Sequence, residues 1–374
     1  MQTNRLFLDI HAIQILPPSN INRDDTGSPK TAQFGGVTRA RVSSQAWKKA
    51  MRDYFCKCGQ DFKLGVRTKK ILDYIVKSIL EKKYYDNEED ARKNTITVLE
   101  NAGYKLKERD LDAIYFFSNL QIARLIEFTK EPEYIKKYEK TSEKKKIKKK
   151  LSELLKDDNV EIDIALFGRM LAHNIDLNEN ASSQVAHAIS THEVQTEYDY
   201  FTAKDDLPSE DNAGAAMIET NEFNSSTLYR YANVAVHEFL YQMKDDKEVT
   251  ARALRLYIEA FAKSMPTGKS NSYANQTIPQ ALLVILRDDR PISFVSAYEN
   301  PVKAKNGYTE ESVRRLFAEE KNAEKFVHAP LASFCLLTND AWYPSETENT
   351  FAGMQETDIT ALLDDLSKQI ITLL

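Results

Sequence analysis

The sequence has few of the residues that stabilise small secreted or metal-bound proteins. Of its 374 residues only three are cysteines, Cys56, Cys58 and Cys335. Three thiols at this spacing cannot form a disulfide framework, and Cys56 and Cys58 lack the second pair of ligands that a structural zinc site needs. We therefore expect idle or buried thiols, and neither a metal site nor a cofactor.

Long apolar runs are also missing. No segment approaches the ~18 apolar residues of a membrane span, and the first residues lack the apolar segment and small-residue cleavage site of a signal peptide. With 42% apolar and 29% charged residues, the chain can bury the core of one large domain or of two to three units. We expect a cytoplasmic globular protein that does not bind membranes.

The chain has no overall excess of positive charge. Its formal charge of −5 argues against a uniformly basic nucleic-acid binder, but the charges are segregated. Residues 1–60 contain nine Lys and Arg against four acids, whereas residues 171–228 contain eleven acids and one Lys. This pattern predicts a basic groove with acidic flanks, typical of copies that assemble along an anionic strand. The alternative is solubility charge without a binding role.

Residues 39–52 (RARVSSQAWKKAMR) contain the most informative pattern in the chain. On a helical wheel, Gln45, Lys48, Lys49 and Arg52 form a single polar stripe. The opposite side is apolar or aromatic and consists of Ala46, Trp47, Ala50, Met51 and Tyr54. The pattern predicts a helix with one core face and one cationic face.

Ser43 is predicted to cap this helix at its N-terminus. Exposed N–H groups at a helix start favour anions, so Arg39, Arg41 and Ser43 would extend the cationic face towards a phosphate site. The alternative is an ordinary amphipathic helix whose lysines are only solvated. The glycine pair at residues 35–36 is not a P-loop, because no Lys-Ser/Thr follows it.

The remaining patterns indicate an interrupted sheet. Residues 6–16 predict a strand that ends at Pro17, residues 19–36 a long polar loop, and residues 59–158 an inserted helical subdomain. Within that insertion, apolar residues recur at helical spacing beside the lysines of residues 144–150, which predicts an amphipathic helix with a solvated face.

The second half of the chain returns to strand patterns. Residues 249–265 predict a helix and the acidic residues 194–225 a protruding hairpin or loop. Four further segments are predicted as strands: residues 162–167, 185–194, 228–236 and 281–286. A β-α-β-β-α-β pattern with insertions, and hence an α+β fold, accounts for most of this order.

Several motifs occur in a characteristic order. They are NRDD (22–25), FGG (34–36), RVSSQ (41–45), KKAMR (48–52), DIAL (163–166), GRM (168–170), AHAI (186–189), TH (191–192), DYFTAKDD (199–206) and YRYAN (229–233). Together they resemble the type I-E Cascade backbone subunit family of CRISPR surveillance complexes, the CasC or Cas-seven family. The resemblance extends from residue 22 to about residue 233 and continues weakly to about residue 310.

The resemblance implies a hand-shaped molecule with an RRM-like (ferredoxin-like) palm, helical fingers and a β-hairpin thumb. The corresponding ranges are residues 1–58, 159–195 and 226–374 for the palm, 59–158 for the fingers and 196–225 for the thumb. It also implies a non-catalytic scaffold that polymerises along the spacer of a CRISPR RNA (crRNA) and leaves sequence reading to base pairing. The implied partners are the crRNA, target DNA paired to it, further copies of this chain and the other Cascade subunits.

The implied RNA-binding residues fall into two groups. The thumb and Met170 would supply an apolar wedge between bases, and the others would contact the RNA backbone. The complete set is Asn22, Arg23, Arg39, Arg41, Ser43, Gln45, Lys48, Lys49, Arg52, Arg169, Met170, Tyr200, Phe201, Thr202 and Lys269. Without the resemblance, Tyr200 and Phe201 would be read as hairpin core residues and Met170 as a gap filler.

Two other functions remain open at this point. Asp24 and Asp25 could hold Mg²⁺ in a type III-like ribonuclease, although a salt bridge to Arg23 is the preferred role. A general single-strand RNA-binding module is the second alternative. His187 and His192 would lie on opposite faces of a strand and are predicted to be structural.

Overall fold

Apolar strands along the chain form one large sheet that is covered by helices. The computed structural model describes residues 5–108, 110–156, 160–171, 174–203, 217–304, 306–344 and 353–374. The chain divides into two compact units. Unit 1 comprises Met1–Cys58, Ser183–His237 and Lys247–Leu374, and unit 2 comprises Gly59–Ser182 and Glu238–Asp246.

Long strands belong to unit 1, and helices supply most of unit 2. The strands are β1 (Phe7–Ser19), β2 (Thr31–Phe34), β3 (Val37–Val42), β4 (Val66–Thr68), β5 (Leu106–Lys107), β6 (Asp110–Leu111), β7 (Tyr115–Phe117), β8 (Ser183–Val185), β9 (Ala188–Ser190), β10 (Glu197–Ala203), β11 (Met217–Ala235), β12 (Pro279–Arg287), β13 (Ala332–Leu337) and β14 (Met354–Gln355). The helices are α1 (Ser44–Cys58), α2 (Ile71–Glu81), α3 (Glu88–Asn101), α4 (Asn119–Phe128), α5 (Thr141–Leu154), α6 (Ile162–Phe167), α7 (Val236–Gln242), α8 (Lys247–Lys263), α9 (Ser270–Tyr273), α10 (Thr309–Ala323) and α11 (Ile359–Leu373). Among the described helices, none combines the length and the apolar character that crossing a membrane requires.

The sheet of unit 1 has the order β14-β13-β12-β1-β11-β9-β3-β2, with β8 and β10 also paired to β11. All of these pairs are antiparallel except β13 with β14. The predicted strand of residues 6–16 forms β1, but it continues past the prolines to Ser19. A register shift between Leu16 and Ser19 accommodates them, because proline cannot donate to a ladder.

The four strands β1, β9, β11 and β12 lie in the middle of this sheet. Along the chain, with the helices α1 and α8, they follow the order β1, α1, β9, β11, α8 and β12. The corresponding strands lie in the order β12-β1-β11-β9, and the sequence of unit 2 interrupts the path between α1 and β9. The predicted combination of helices and strands is therefore confirmed, and the central sheet is mostly antiparallel. The predicted strands at 228–236 and 281–286 lie in β11 and β12, and the predicted helix at 249–265 corresponds to α8.

Helices cover both faces of this sheet. Neighbouring residues of a strand point to opposite faces, so the side chains of β11 show which helices pack on each face. On one face, Tyr229 and Tyr231 of β11 join an apolar core with Val313 and Leu316 of α10. Arg230, which lies between those tyrosines, points to the other face, where α1 and α8 pack. The alternating side chains of β11 thus show that α10 packs on one face of the sheet and that α1 and α8 pack on the other.

The buried Arg230 links α1, α8 and β1. Its guanidinium carbon lies 3.6 Å from the ring centroid of Trp47 and 4.3 Å from that of Phe261. The same group donates to Gln14 Oε1 and to the Phe261 carbonyl, and only 2% of Arg230 is exposed. Because the cation is stacked and hydrogen-bonded at once, it fixes α1 against the rest of unit 1.

Unit 2 has its own apolar core, built by α2 to α5 and the short strand β7. Ile147 and Leu151 of α5 are buried in that core, so the predicted amphipathic helix in the lysine block is confirmed. The unit begins at Gly59, as the predicted fingers do, but it includes residues beyond 158, up to Ser182.

Two strand predictions were wrong or too long. Residues 162–167 form α6 instead of a strand; Asp163 accepts the Gly65 N–H at 3.0 Å, and Gly168 with φ +77 ends the helix. Because Ile162 to Leu166 are all buried, their sequence carries no helical period to read. The predicted strand at 185–194 is divided into β8 and β9.

The predicted hairpin at residues 194–225 is present. β10 pairs with the first part of β11, from Glu197 opposite Phe223 to Ala203 opposite Met217. Residues 204–216, which lie between the two strands in the sequence, are outside the described residues.

We expect Arg230→Met to destabilise unit 1 by about 2–4 kcal/mol, because the acceptors on Gln14 and Phe261 would remain buried without a donor. Both tryptophans, Trp47 and Trp342, lie in unit 1, so urea unfolding followed by tryptophan fluorescence measures the change. Arg290→Met, at an exposed position, is the control, and its free energy of unfolding should stay within about 0.5 kcal/mol of wild type. Equal stability of the two variants would contradict the structural role of Arg230.

Candidate nucleic-acid interface

The N-terminus of α1 is fixed by three side chains from different parts of unit 1. The Ser43 hydroxyl accepts the Ala46 N–H at 3.3 Å, as an N-cap does. Asn22 Oδ1 accepts the Ser43 N–H at 2.8 Å, and His187 Nδ1 accepts the Ser44 N–H at 2.9 Å. The N–H groups of Ser43, Ser44 and Ala46 already have neutral acceptors, so less of the helix start is exposed to a phosphate than the sequence predicted.

The polar stripe of α1 has the predicted position. Gln45 and Lys49 are exposed, and Lys48 and Arg52 are partly buried. Partial burial lowers the pKa of Lys48, because the charged form loses hydration. The opposite side of the helix is buried through Trp47, Ala50, Met51 and Phe55. The stripe therefore faces away from the core, as a binding surface requires.

Lys49 forms an ion pair that the sequence pattern did not predict. Its ammonium lies 2.5 Å from the carboxylate of Asp53 one turn later, and both side chains are at least half exposed. An exposed pair of this kind contributes little stability but competes with an external anion for the lysine.

The loop before β2 is a compact turn. The Asp24 carboxylate accepts from the Thr26 N–H, the Thr26 hydroxyl and the Ser28 N–H, at 2.7–3.0 Å. These bonds lower the pKa of Asp24. The preferred salt bridge from Arg23 to Asp24 is therefore replaced by bonds within the turn, and Arg23 is exposed beside it. The described residues contain no group of three or more His, Cys, Asp or Glu suited to a metal ion.

Asn20 connects this turn to the hairpin. Its side-chain amide donates to the carbonyls of Gly27 and Glu222, each at 2.9 Å. Because Glu222 belongs to β11, the turn that carries Arg23 is tied to the base of the β10–β11 hairpin.

A second loop approaches the same place. A Cβ atom on Gly268 would lie 2.1 Å from the Ile21 carbonyl oxygen, so only glycine permits this contact. The next residue, Lys269, donates to Asn221 Oδ1 on β11. The structure thus brings the Asn22 turn, the Lys269 loop and the hairpin base together.

The two predicted aromatic residues of the hairpin point to opposite faces. Tyr200 is 64% exposed, and Phe201 is half-buried on the other side of β10. Tyr198 shares the face of Tyr200 and is 67% exposed, while Thr202 is exposed on that face as well. Tyr198 was not among the predicted RNA-binding residues, although its spacing of two residues from Tyr200 was a usable signal.

Arg39 is a structural residue and not a surface contact. Its guanidinium donates to the carbonyls of Phe34, Ser190, Tyr298 and Glu299, at 2.8–3.1 Å. None of its surface is exposed. The prediction that Arg39 extends the cationic face is therefore corrected.

Arg169 is corrected for the same reason. In unit 2 it donates to the Leu177 carbonyl at 2.7 Å and to Gln121 Oε1 at 3.0 Å, and 5% of it is exposed. The neighbouring Met170 is 91% exposed, so it does not fill a gap in the described core.

The two histidines behave differently. His192 is buried, stacks on Tyr308 at a centroid distance of 3.6 Å and accepts the Thr227 N–H, which fits its predicted structural role. His187 is exposed at the start of α1, and Arg41 and Lys30 act on it electrostatically. Its position opposite the helix cap could not be read from the sequence.

Comparison with known families and structures gives a consistent result. A family model described as CT1975-like protein matches residues 8–365. One similar solved chain, from a "CRISPR RNA-guided surveillance complex, pre-nicking", is 30% identical, covers 97% of this chain and 100% of its own length, and has a TM-score of 0.83. Another, from a "CRISPR RNA-guided surveillance complex", is 25% identical, covers 97% and 99%, and has a TM-score of 0.64. Comparison with curated proteins gives no match.

We expect Gly268→Ala to destabilise unit 1 by about 1–3 kcal/mol, because the added methyl group would displace the Lys269 loop from Ile21. Urea unfolding followed by tryptophan fluorescence would measure the loss. Ser272→Ala, at an exposed position in the short helix α9 that follows, is the control and should stay within about 0.5 kcal/mol of wild type. A wild-type midpoint for Gly268→Ala would show that the two segments are not in close contact.

Proposed function

This chain belongs to the CT1975-like protein family, and we propose that it is the backbone subunit of a type I-E Cascade complex. In this role it polymerises along the spacer of a crRNA, binds the ribose-phosphate backbone without sequence preference and presents the bases in segments to target DNA. The resemblance found in the sequence and the similarity to chains of surveillance complexes both support this assignment.

The cationic stripe of α1 is the observation that carries the proposal. Lys48, Lys49 and Arg52 share one face of a helix whose other face is locked into the core, next to loops that carry Arg23 and Lys269. Lysine and arginine side chains bind phosphate oxygens whatever the base, as a subunit that must accept any spacer requires. Gln45 and Arg41 add polar donors at the same end of the helix.

We assign unit 1 to an RRM-like palm and most of unit 2 to the fingers. The order β12-β1-β11-β9 with α1 and α8 as the connections supports the palm, since it is the order of a ferredoxin-like β-α-β-β-α-β fold. The helical core of α2 to α5 supports the fingers, and the β10–β11 hairpin would be the thumb.

The thumb would act by stacking. Tyr198 and Tyr200 present two exposed rings on one face of β10, and a base stacked on such a ring contributes about 1–3 kcal/mol. Phe201, Thr202 and the exposed Met170 remain proposed contributors to base displacement. Asn22 and Ser43 would act indirectly, by holding the start of α1.

We propose a scaffold without catalytic activity, metal or cofactor. The Asp24 carboxylate is engaged in its own turn, which disfavours a type III-like ribonuclease that would use it to hold Mg²⁺. The partners would be the crRNA, paired target DNA, further copies of this chain and the other Cascade subunits, but no membrane.

Native mass spectrometry on single-stranded RNAs of increasing length tests polymerisation. We expect one more subunit to be added for each fixed increment of RNA, because each copy covers a constant length of backbone. A general single-strand RNA-binding module would remain at one copy, or at randomly spaced copies, on a long RNA. Saturation at one subunit would reject the proposal.

We expect Lys48→Ala with Lys49→Ala to weaken RNA binding roughly tenfold and equally for unrelated spacer sequences. The slope of log Kd against log salt concentration should fall by about 1.4, since each lost phosphate contact on a single strand contributes about 0.7. Fluorescence anisotropy over a range of salt concentrations measures both quantities.

The control is Lys321→Ala with Lys325→Ala, the same charge change at exposed positions in α10 and just beyond it. The helix α10 packs on the sheet face opposite α1, so this variant should bind as wild type does. An equal loss in both variants, or a loss confined to certain sequences, would contradict backbone binding by α1.

A further inference from the structure

His187 lies where β9 meets the start of α1. Val42 pairs with Ala188, so the preceding residue, His187, lies opposite Ser43, where the backbone turns into the helix. There its Nδ1 accepts the Ser44 N–H at 2.9 Å. A ring nitrogen that accepts a hydrogen bond carries no proton, so the proton of the neutral ring is on Nε2.

The surroundings keep this ring neutral. Partial burial, followed by the cations Arg41 on β3 and Lys30 on the preceding loop, lowers the pKa of His187. Protonation of Nδ1 would also break the bond to Ser44. The exposed imidazole therefore presents a fixed Nε2–H donor, within the electrostatic influence of two cations, at neutral pH.

We propose that His187 donates its Nε2–H to a non-bridging phosphate oxygen of the bound RNA, beside Arg41 and Lys30. This inference rests on the proposed function and adds a residue and a chemistry to it. The two cations create a positive potential in which a phosphate is the favoured acceptor, and the helix start contributes in the same direction. The ring holds the helix through one nitrogen and the RNA through the other.

A neutral donor has a property that a lysine lacks. Its bond to phosphate is assisted by the charge of the acceptor, but its loss removes no cation from the protein. The contact should therefore affect affinity without affecting the number of counterions released.

Two isosteric variants separate the two nitrogens. His187→Asn places an amide oxygen near the position of Nδ1 and retains the cap, but it cannot reach the position of Nε2. His187→Gln places an amide N–H near Nε2 and loses the cap. His187→Ala loses both functions, and His328→Asn, at an exposed histidine elsewhere in unit 1, is the control.

We expect His187→Asn and His187→Ala to weaken RNA binding about fivefold, and His187→Gln to stay within about twofold of wild type. Thermal unfolding should separate the variants differently. The Tm of His187→Asn should be near that of wild type, and the Tm of His187→Gln and of His187→Ala should be lower by about 2–4 °C. The salt slope should be unchanged in all three variants. His328→Asn should match wild type in every measurement.

Wild-type affinity for His187→Asn would overturn the phosphate contact. A loss of affinity that follows the thermal data, with His187→Gln as weak as His187→Ala, would reduce His187 to a helix cap. In either case stepwise loading of the wild type on RNA would still be observed, whereas failure of the proposed function itself would abolish that loading.

Discussion

The candidate interface depends on one buried cation. Arg230 stacks against the rings of Trp47 and Phe261, and burial lowers its pKa to about 9. The π faces and two oxygen acceptors compensate for its lost hydration. Because Trp47 belongs to α1, this stack sets the rotation of the helix about its axis. The direction of Lys48 and Arg52 is therefore a consequence of packing on the opposite face.

Arginine and lysine side chains occupy different environments in this structure. Three buried arginines, Arg39, Arg169 and Arg230, donate to carbonyl and amide oxygens of their own unit. A guanidinium has five N–H donors in a plane and can satisfy several buried acceptors at once, whereas an ammonium is more strongly hydrated and stays near the surface. Lysines accordingly predominate on the polar stripe of α1. Counting basic residues in the sequence overestimates the charge available to a ligand.

Local patterns predicted much of this fold, and long-range contacts explain the failures. The strand β1 was predictable from its run of apolar and β-forming residues, and the two sides of α1 from a clear hydrophobic period. The short helix at residues 162–167 was missed because it is buried on every side. The burial of Arg39 depends on carbonyls 151 to 260 residues away, and the bond from Ser44 to His187 joins residues 143 apart. No local pattern records such partners.

Asn20 has a consequence for how movement spreads in unit 1. One amide group joins Gly27 in the turn beside Arg23 to Glu222 at the foot of the hairpin. The two segments therefore cannot shift independently without leaving a buried donor unpaired. Under the proposed function, a neighbouring copy that displaced the hairpin would therefore also displace the turn beside Arg23 through this side chain.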